Sequence, residues 1–325
     1  MLLPPRDLTD ADVAGVVAGG WGVDVRSVTY LPVGFGSHHW AVVDALGARW
    51  FATADDLRAP GHLGEGGPDA RHDRLDRALS TARSLRAAGI AAVVAPTPTA
   101  EGAVTVRREG HAISLYPHVD GESFGWGPFP SAAVRDAALD VVVEVHTTST
   151  ASDLVPPNDL AVPGRADLEA LLDRRTTVAG GPYAARLAEL LDRHDADLRA
   201  RLRAHDQAVD AEAALADRRV ITHGEPHAGN VMAVLGGVRL VDWDTTALGQ
   251  PERDLWFLVR EDAELAARYA RQTGVEVRDD LLDLHREWFA LADVAAFAVQ
   301  LAGAVSEDAE TEVAWEALRA EVAGL

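Results

Sequence analysis

Two short segments in the last third of the chain carry most of the side chains that could do chemistry. The first contains Glu225 and Asn230, an acid and an amide five residues apart in a polar loop after a short apolar run. The second places Asp242 and Asp244 at the end of another such run. Carboxylate and amide oxygens suit a hard cation such as Mg²⁺, whose ligands in proteins usually include substrate phosphates. A carboxylate outside that ligand set can accept a proton from an attacking hydroxyl, so the two segments indicate a site for metal and phosphate chemistry.

The spacing of these residues resembles that of a known family. Residues 223–230, HGEPHAGN, are similar to the His-Gly-Asp-x-His-x-x-Asn loop of the aminoglycoside phosphotransferase and choline kinase-like family, which has the protein kinase-like fold. Residues 241–244, VDWD, resemble the metal motif of that family, and residues 250–255 resemble the segment that follows it. Within the family, residues 34–40, GFGSHHW, resemble the spectinomycin phosphotransferase branch. With the sheet expected before these motifs, the resemblance covers most of the chain.

The resemblance implies a role for each matching residue. Glu225 would be the catalytic acidic residue of the loop, which orients the acceptor hydroxyl or takes its proton, and Asn230 and Asp242 would hold Mg²⁺ between the phosphates of ATP or GTP. Asp244 would line the acceptor (substrate) pocket, orient Asp242 or form a structural hydrogen bond. The nucleotide-binding residues would be Gly34, Phe35, Gly36, Ser37 and His38 in a loop over the phosphates, Thr53 on a later strand, and Pro117 and Val119 facing the adenine through backbone groups. His223 would anchor the loop, and His146 is interpreted as a packed helical histidine.

Two residues depart from the family pattern. Thr53 stands where the family has a lysine, and the chain has no Lys, since all 30 basic residues are Arg. A Thr hydroxyl can bond a phosphate but brings no charge, whereas positive charge is a main means of stabilising phosphoryl groups. Arg49, Arg74 or Arg77 could supply that charge. Glu225 stands where the family has Asp, and a carboxylate displaced by about 1 Å can lower the rate on the order of 100-fold.

The elements that must position these residues begin with a sheet. Three β runs joined by Gly-containing turns predict an antiparallel meander over residues 28–33, 38–43 and 49–53. Apolar residues at three-to-four spacing predict an amphipathic helix over 69–88. Further strands are expected over residues 92–95, 104–107 and 111–116.

Beyond Pro117 the pattern changes from strands to helices. Gly and Pro in residues 118–130 predict a hinge and linker, and helical patterns follow over 132–147, 182–204 and much of 254–325, with short strands at 220–222 and 238–241. These patterns predict an α+β protein, and the family resemblance implies that its fold is the two-lobed protein kinase-like fold. Its parts would be an N-lobe with a small antiparallel sheet and one main helix over 1–117, the hinge and linker, and a mostly helical C-lobe over 131–325 with the catalytic loop and acceptor site.

Composition limits the classes of partner. The 325 residues include 30 Arg and 51 Asp or Glu, a net charge of −21, which argues against nucleic acid or an anionic membrane surface as a partner. Without Cys there is no disulfide, thiolate metal site or Cys nucleophile. The longest apolar stretch, over residues 291–305, is shorter than the ~20 residues that span a bilayer. No amino-terminal signal is visible, so a cytoplasmic location is expected, and the sequence does not indicate an oligomeric state.

The acidic residues are concentrated near the end of the chain. Residues 261–325 contain five Arg and fifteen Asp or Glu, a net charge of −10. Solvated helix faces account for such a composition in most proteins, and an acidic wall for a cationic substrate is the alternative. The family resemblance implies transfer of the γ-phosphoryl group of ATP or GTP to a hydroxyl, and together with the acidic composition it suggests an amino sugar, an aminocyclitol or a similar polar small molecule as the acceptor.

Other functions remain open at this point. Because Thr53 and Glu225 depart from the pattern in two separate roles, the protein could be a catalytically silent, kinase-like binder of nucleotide or of a cationic metabolite. A zinc metallohydrolase would use the histidines and carboxylates, but a His-Glu-x-x-His motif is absent. Pro226 also argues against a helix that would put His223 and His227 on one face. A serine hydrolase is not indicated, because the Gly-x-Ser-x-Gly sequence at residues 121–125, GESFG, lies in the Gly- and Pro-containing segment predicted as a hinge and linker and not at a tight turn from a predicted strand to a helix.

Overall fold

The computed structural model describes residues 1–34, 36–58, 63–149, 154–174, 181–259 and 262–323. Within these ranges the chain forms an antiparallel amino-terminal sheet and a largely helical remainder, which confirms the predicted α+β class. The chain divides into two compact units. The first takes in residues 3–158 and 217–282, and the second takes in residues 159–216 and 283–325. The lobe boundaries expected from the sequence, at residues 117 and 131, stay a prediction.

The first unit contains a five-stranded antiparallel sheet. Its strands, in spatial order β1-β2-β3-β5-β4, are β1 Val25–Leu31, β2 Ser37–Asp44, β3 Arg49–Asp56, β5 His111–Pro117 and β4 Val106–Arg108. The predicted meander is confirmed in β1 to β3, and β5 matches the strand predicted over 111–116. The strand predicted over 104–107 begins later, at Val106, where pairing with Ile113 begins.

Helix α1, Asp10–Trp21, covers one face of this sheet and was not predicted from the sequence. Its start is fixed by Thr9, whose Oγ1 accepts a hydrogen bond from the backbone N–H of Asp12, while the Asp12 carboxylate accepts one from the N–H of Thr9. Val13 and Val17 pack into the buried cluster on that face of the sheet. The helix contains three glycines, which have low helix propensity and interrupt its apolar pattern, so it escaped prediction.

Alternation along β3 assigns its side chains to the two faces of the sheet. Ala52 and Ala54 are fully buried in the cluster beneath α1, so Thr53 lies on the opposite face. Thr53 pairs with His39 on β2 and with Ser114 on β5, and directly paired residues share a face. The face that carries these three residues is called the Thr53 face below.

Helix α2, Pro68–Ala87, follows β3 and confirms the helix predicted over 69–88. The strand predicted over 92–95 is not formed. Instead Val93 makes a single parallel bridge with Leu240, where the N–H of Val94 donates to the carbonyl of Leu240 at 3.0 Å. Pro96 and Pro98, which have no N–H to donate, prevent a longer ladder.

Two small sheets bring the chemical motifs together. Strands β7 Val220–Thr222 and β10 Ala247–Gly249 pair with each other, and β6 Glu122–Ser123, β8 Val231–Val234 and β9 Gly237–Leu240 form a second sheet in the order β6-β8-β9. β7 and β9 were predicted from the sequence, and the other three strands were not. Because β7, β8, β9 and β10 follow one another closely, the loop at 223–230 and the turn at 241–246 become neighbours.

Helices make up most of the remaining structure. The first unit contains α3 Ala132–Thr147, α6 Glu252–Leu258 and α7 Ala263–Thr273, and α3 matches its predicted bounds. The second unit contains α4 Arg165–Leu172, α5 Ala184–Glu212, most of α8 Asp279–Ala302 and α9 Ala309–Ala323. Its core joins α4 and α5 to the later helices through residues such as Leu168, Leu187, Leu291 and Leu318. Over the described ranges, none of the helices has the length and apolar character needed to cross a bilayer.

Candidate active site

The loop at 223–230 is held from beneath by Asp254, in the first turn of α6. Its carboxylate accepts hydrogen bonds from the backbone N–H groups of His223, at 2.8 Å, and Gly224, at 2.6 Å. Asp254 is fully buried. Burial by itself raises the pKa of Asp254, but the hydrogen bond to His146 and the surrounding positive charge outweigh it and lower the pKa below its usual value. The loop is therefore anchored to an ionised carboxylate.

A chain of hydrogen bonds extends from this carboxylate into α3 and α7. Nε2 of His146 lies 3.0 Å from Asp254 Oδ2, and Nδ1 of His146 lies 2.9 Å from the hydroxyl of Tyr269. The histidine is packed inside the protein, as interpreted from the sequence, and it also supports the loop anchor. Sequence reasoning missed this role and that of Asp254, although Asp254 lies in the segment that resembles the family.

His223 links the loop to the turn that follows β9. Its Nδ1 accepts a hydrogen bond from the N–H of Glu225 at 3.2 Å, and its Nε2 lies 2.9 Å from the carbonyl of Val241. Because Nδ1 faces a donor and Nε2 faces an acceptor, only the neutral ring protonated at Nε2 satisfies both. Burial lowers the pKa of His223, which favours the same neutral form. With both ring nitrogens bonded inside the protein, His223 is not available to ligate zinc.

Gly224 is required by the packing beneath the loop. Its φ is +106°, and a Cβ there would lie 2.5 Å from both terminal nitrogens of Arg253 and 2.6 Å from Thr245 Oγ1. The buried Arg253 guanidinium donates to Thr222 Oγ1 at 2.8 Å and to the carbonyl of Thr245 at 2.8 Å. Any larger residue at 224 would displace this guanidinium.

The backbone of Glu225 is fixed on both sides, while its side chain is accessible. Its N–H donates to His223, and its carbonyl accepts a hydrogen bond from Nδ2 of Asn230 at 3.0 Å. The side chain is 28% exposed, and Oε2 lies 3.7 Å from Nε2 of His227. A carboxylate on a fixed backbone that a substrate can reach is suited to proton transfer.

Asn230 and Asp242 are neighbours, as the predicted metal site requires. The N–H of Val241 donates to the carbonyl of Asn230 at 3.0 Å, which puts Asp242 beside the end of the loop. The bond from Asn230 Nδ2 to Glu225 leaves the amide oxygen of Asn230 to serve as a ligand. Asp242 is exposed and has a φ of +66°, a left-handed conformation that Asp tolerates better than most non-glycine residues.

This donor set fits Mg²⁺. It offers one amide oxygen and one exposed carboxylate, and Mg²⁺ usually takes one or two protein carboxylates and completes its shell with phosphates and water. In the described part of the chain, no three histidine, aspartate or glutamate side chains converge closely enough to hold a metal by themselves. The remaining ligands of a metal at Asn230 and Asp242 would therefore come from the substrate and solvent.

Asp244 lies near both the metal motif and the Thr53 face. It is half-buried, and it follows Trp243, whose buried indole N–H donates to the carbonyl of Leu240 at 2.9 Å. Burial raises the pKa of Tyr116, which lies on the Thr53 face, and the negative charges of Asp55, Asp242 and Asp244 add to that effect. The turn at 241–246 is thus within electrostatic range of the Thr53 face.

The predicted phosphate loop is described in part. Gly34 and Gly36 are exposed turn residues, and Phe35 lies outside the described residues. Ser37 is the first residue of β2, and its Oγ donates to Asp55 Oδ1 at 2.5 Å. The loop predicted over 34–38 is therefore shorter, because pairing with β3 begins at Ser37.

The side chain of His38 does not join the other predicted nucleotide residues. His38 pairs with Ala54, so it lies on the face opposite Thr53, and it is buried there with Nδ1 3.1 Å from the hydroxyl of Tyr30. Only its backbone remains for the predicted role. The change follows from strand register, since Ser37 and His38, as consecutive residues of β2, point to opposite faces.

The predicted hinge residues follow the last long strand of the first sheet. Pro117 is exposed at the end of β5, and Val119 is half-buried. Between them, the N–H of His118 donates to the carbonyl of Arg49 at 3.2 Å. This bond directs the neighbouring backbone groups away from β3, and the adenine-facing roles of Pro117 and Val119 stay predictions.

One aromatic residue near the loop was missed in the sequence. Trp126, in the segment predicted as a linker, is 63% exposed. Its ring meets that of His227 edge-to-face with centroids 4.4 Å apart, and that of Phe257 at 6.2 Å. A tryptophan between two glycines gave no signal beyond its type, so only the fold reveals its position beside the catalytic loop.

The chain matches the family described as "Phosphotransferase enzyme family" over residues 66–291, which include the loop, the metal motif and α2. A curated relative, Protein StrN from Streptomyces griseus, is 29% identical over 243 residues, which cover 72% of each chain.

Solved structures share the fold at low identity. A spectinomycin phosphotransferase in complex with ADP and spectinomycin has a TM-score of 0.73 at 16% identity, covering 97% of this chain and 95% of its own. An amicoumacin kinase in complex with AMP-PNP, Ca²⁺ and Ami has a TM-score of 0.57 at 13% identity, covering 97% of this chain and 93% of its own. An aminoglycoside phosphotransferase with GDP and kanamycin has a TM-score of 0.54 at 16% identity, covering 96% and 98%. These likenesses confirm the predicted kinase-like fold.

Proposed function

Because the chain belongs to the phosphotransferase enzyme family, we propose that it transfers the γ-phosphoryl group of ATP or GTP to a hydroxyl of a small polar acceptor. The observation that best supports this is the anchored loop that presents Glu225 and Asn230 beside Asp242. The arrangement offers a proton acceptor and two oxygen ligands in one hydrogen-bonded unit, which suits phosphoryl transfer to an alcohol.

In this proposal Glu225 acts on the acceptor hydroxyl. As the hydroxyl oxygen bonds to the γ-phosphorus, the bond from that phosphorus to the β–γ bridging oxygen breaks, and the hydroxyl proton passes to the Glu225 carboxylate. The products are the phosphorylated acceptor and the nucleoside diphosphate. The partial exposure of the Glu225 side chain and its fixed backbone support this role.

Asn230 and Asp242 are proposed to hold the magnesium ion. When bound, Mg²⁺ supplies positive charge to the phosphate oxygens. The hydrogen bond from Asn230 to the Glu225 carbonyl would keep the amide oriented, and the left-handed turn at Asp242 would direct its carboxylate outward.

The nucleotide is proposed to lie along the Thr53 face. Thr53 would donate its hydroxyl to a phosphate oxygen, and the backbone of residues 34–38 would cover the phosphates. The carbonyl of Pro117 and the N–H of Val119 would contact the adenine. The half-buried Thr53 and its position between β2 and β5 support this placement.

The acceptor is proposed to be an amino sugar or an aminocyclitol. An amine-bearing acceptor suits the acidic composition of residues 261–325, and a ring with an apolar face could pack on the exposed indole of Trp126 near Glu225. Asp244 is proposed to bind a polar group of this acceptor. Two fold relatives hold spectinomycin and kanamycin, which are compounds of this kind.

Calorimetric titration with ATP and with GTP, each with and without Mg²⁺, tests the proposal before any acceptor is chosen. We expect binding that needs Mg²⁺ in the wild type and is lost in Asp242→Ala. Asp197→Ala, an exposed aspartate on α5, serves as the matched control and should bind like the wild type. No binding of either nucleotide by the wild type would contradict the proposed function.

A second function is supported by Thr53, which brings no charge to a position where positive charge is expected. A kinase-like protein with this residue could bind nucleotide or a cationic metabolite without transfer. A panel of amine-bearing and neutral acceptors, assayed for ADP or GDP release, separates the two functions. Mg²⁺-dependent nucleotide binding with no turnover on any acceptor would favour the binding protein, and turnover only with neutral or anionic acceptors would reject the amine-bearing acceptor.

A further inference from the structure

We propose that Arg74 on α2 supplies the positive charge for the nucleotide phosphates that a lysine on β3 would otherwise provide. The inference rests on the proposed function, because it assumes that a nucleotide lies along the Thr53 face. It places a phosphate-binding residue on helix α2, whereas the family pattern has one on the strand that corresponds to β3.

The Thr53 face creates the need for such a charge. Thr53, His39 and Ser114 bring no permanent positive charge to it, and Asp55 adds a negative one on the same face. Asp242 and Asp244 lie within electrostatic range. A nucleoside triphosphate among these groups needs compensating positive charge, and kinase sites supply it with a basic side chain as well as with metal ions.

Two arginines of α2 fix the path of the helix. Arg71 Nη1 donates to the carbonyl of Leu57, just after β3, at 3.0 Å. Arg77 Nη2 donates to the carbonyl of Val155 at 3.1 Å. The next residue, Pro156, accepts a hydrogen bond from the N–H of Leu248 on β10 at 2.8 Å.

Arg74 lies between these two contacts. It is one turn from Arg71 and one turn from Arg77, on the same side of α2. One contact is at the end of the strand that carries Thr53, and the other leads to β10, which directly follows the metal motif. Arg74 therefore lies on α2 between the turn that contacts the end of β3 and the turn that contacts the segment leading to β10.

The position of the Arg74 guanidinium agrees with this. It is half-buried, and its Cζ lies 3.2 Å from where a Cβ of Gly64 would be, so the turn before α2 leaves room for it. Burial lowers the pKa of Arg253, and the charge of Arg74 adds to that effect. Arg253 lies beneath Gly224, so Arg74 is within electrostatic range of the catalytic loop.

The other arginines suggested by the sequence are less well placed. Arg49 pairs with Asp120, both side chains are more than half exposed, and it lies four residues from Thr53, roughly 13 Å along the strand. Arg77, which donates to the carbonyls of Leu154 and Val155, lies one turn further along α2 from the turn that contacts the end of β3. Among the three, the geometry favours Arg74.

Calorimetry with MgATP and with adenosine tests the inference. Arg74→Met, which keeps much of the packing of the side-chain stem, should weaken MgATP binding about 10-fold or more and leave adenosine binding unchanged. Arg86→Met, at an exposed arginine on the same helix, is the matched control and should bind both ligands like the wild type. Thr53→Lys in the Arg74→Met background should restore most of the MgATP affinity, since it returns the charge to the strand.

The outcomes separate this inference from the proposed function. If the wild type does not bind MgATP, both are overturned. If the wild type binds and Arg74→Met binds equally well, the inference alone is overturned. Loss of adenosine affinity in step with MgATP would show damage to the pocket and overturn the charge role, and no recovery with Thr53→Lys would show that Arg74 does not replace a strand lysine.

Discussion

At Gly224 the catalytic loop passes directly over the guanidinium of Arg253, and this contact limits which residues can replace the glycine. Gly224→Ala adds strain of about 1–3 kcal/mol from the positive φ and about 1–3 kcal/mol more from overlap with Arg253. We expect the free energy of unfolding to fall by about 2–6 kcal/mol, measured by urea denaturation. Gly89→Ala is the control, because its φ is +107° and a Cβ there meets nothing within 4 Å. Equal losses in the two variants would contradict the overlap with Arg253.

His223 predicts a dependence of stability on pH. Burial lowers its folded-state pKa below the ordinary 6.5, so below that pH the unfolded chain binds more protons than the folded one. The stabilising effect is fully present above about pH 6.5 and is lost as the pH falls through the folded pKa. We expect the free energy of unfolding to drop between pH 7.5 and 5.5, by at most about 1.4 kcal/mol per pH unit from this residue.

His223→Asn is the comparison, and it should show a shallower fall in urea denaturation at pH 7.5, 6.5 and 5.5. The fall in pH should also affect catalysis by the wild type, since a proton on Nδ1 of His223 would break the hydrogen bond from the N–H of Glu225. A slope in His223→Asn equal to that of the wild type would assign the pH dependence to other groups.

The proposed role of Glu225 as proton acceptor leads to a prediction for kcat. Glu225→Gln removes the proton acceptor and should lower kcat by at least about 100-fold, with nucleotide affinity unchanged by calorimetry. Glu122→Gln, an exposed glutamate on β6, is the control and should leave kcat unchanged. A kcat within a few fold of the wild type in Glu225→Gln would remove proton transfer from the role of this residue.

The residues of the site that could be found from the sequence are those whose partners are close in the chain. Glu225, Asn230 and Asp242 lie on consecutive short elements, so their spacing alone brings them together. The bond from His146 to Asp254 joins residues 108 positions apart and depends on how α3 packs against α6. Local patterns contain no information about such a pair.

At the scale of elements, strands and helices with a regular pattern of apolar residues could be predicted from the sequence, and short or irregular segments could not. β1 to β3 and α2 follow clear periodic patterns, whereas the two-residue β6 and the three-residue β10 are too short for any period. The predicted strand over 92–95 became a single bridge because prolines follow it. The register of β2 was the most consequential detail, since it assigns His38 and His39 to opposite faces of the sheet.

We predict that the amino-terminal cap of helix α1 contributes modestly to the free energy of unfolding. Thr9→Ala removes the side-chain acceptor for the N–H of Asp12 and should lower the free energy of unfolding by about 1 kcal/mol. Thr9→Ser keeps the oxygen and should behave nearly like the wild type, which urea denaturation can check. If both variants lose the same amount, the methyl group of Thr9 matters and the cap does not.

At the scale of the whole molecule, the net charge of −21 predicts that salt stabilises the protein. Raising NaCl from about 0.01 M to 0.15 M shortens the Debye length from about 30 to 8 Å and screens the self-repulsion. We expect Tm to rise over this range at pH 7.5 in a thermal melt. Near the pI of about 4.9 the effect should vanish. A fall in Tm with salt at pH 7.5 would mean that attractive ion pairs outweigh the repulsion.

The division into two discontinuous units has a consequence for biosynthesis. All parts of the first unit have left the ribosome once residue 282 has emerged, whereas the second unit needs residues 283–325 to complete its core. Until α8 and α9 emerge, α4 and α5 expose apolar residues such as Leu168 and Leu187, which later pack against Leu291 and Leu318. At a usual ~5–20 residues per second this interval lasts about 2–9 s, and during it the exposed apolar residues make the nascent chain prone to aggregation.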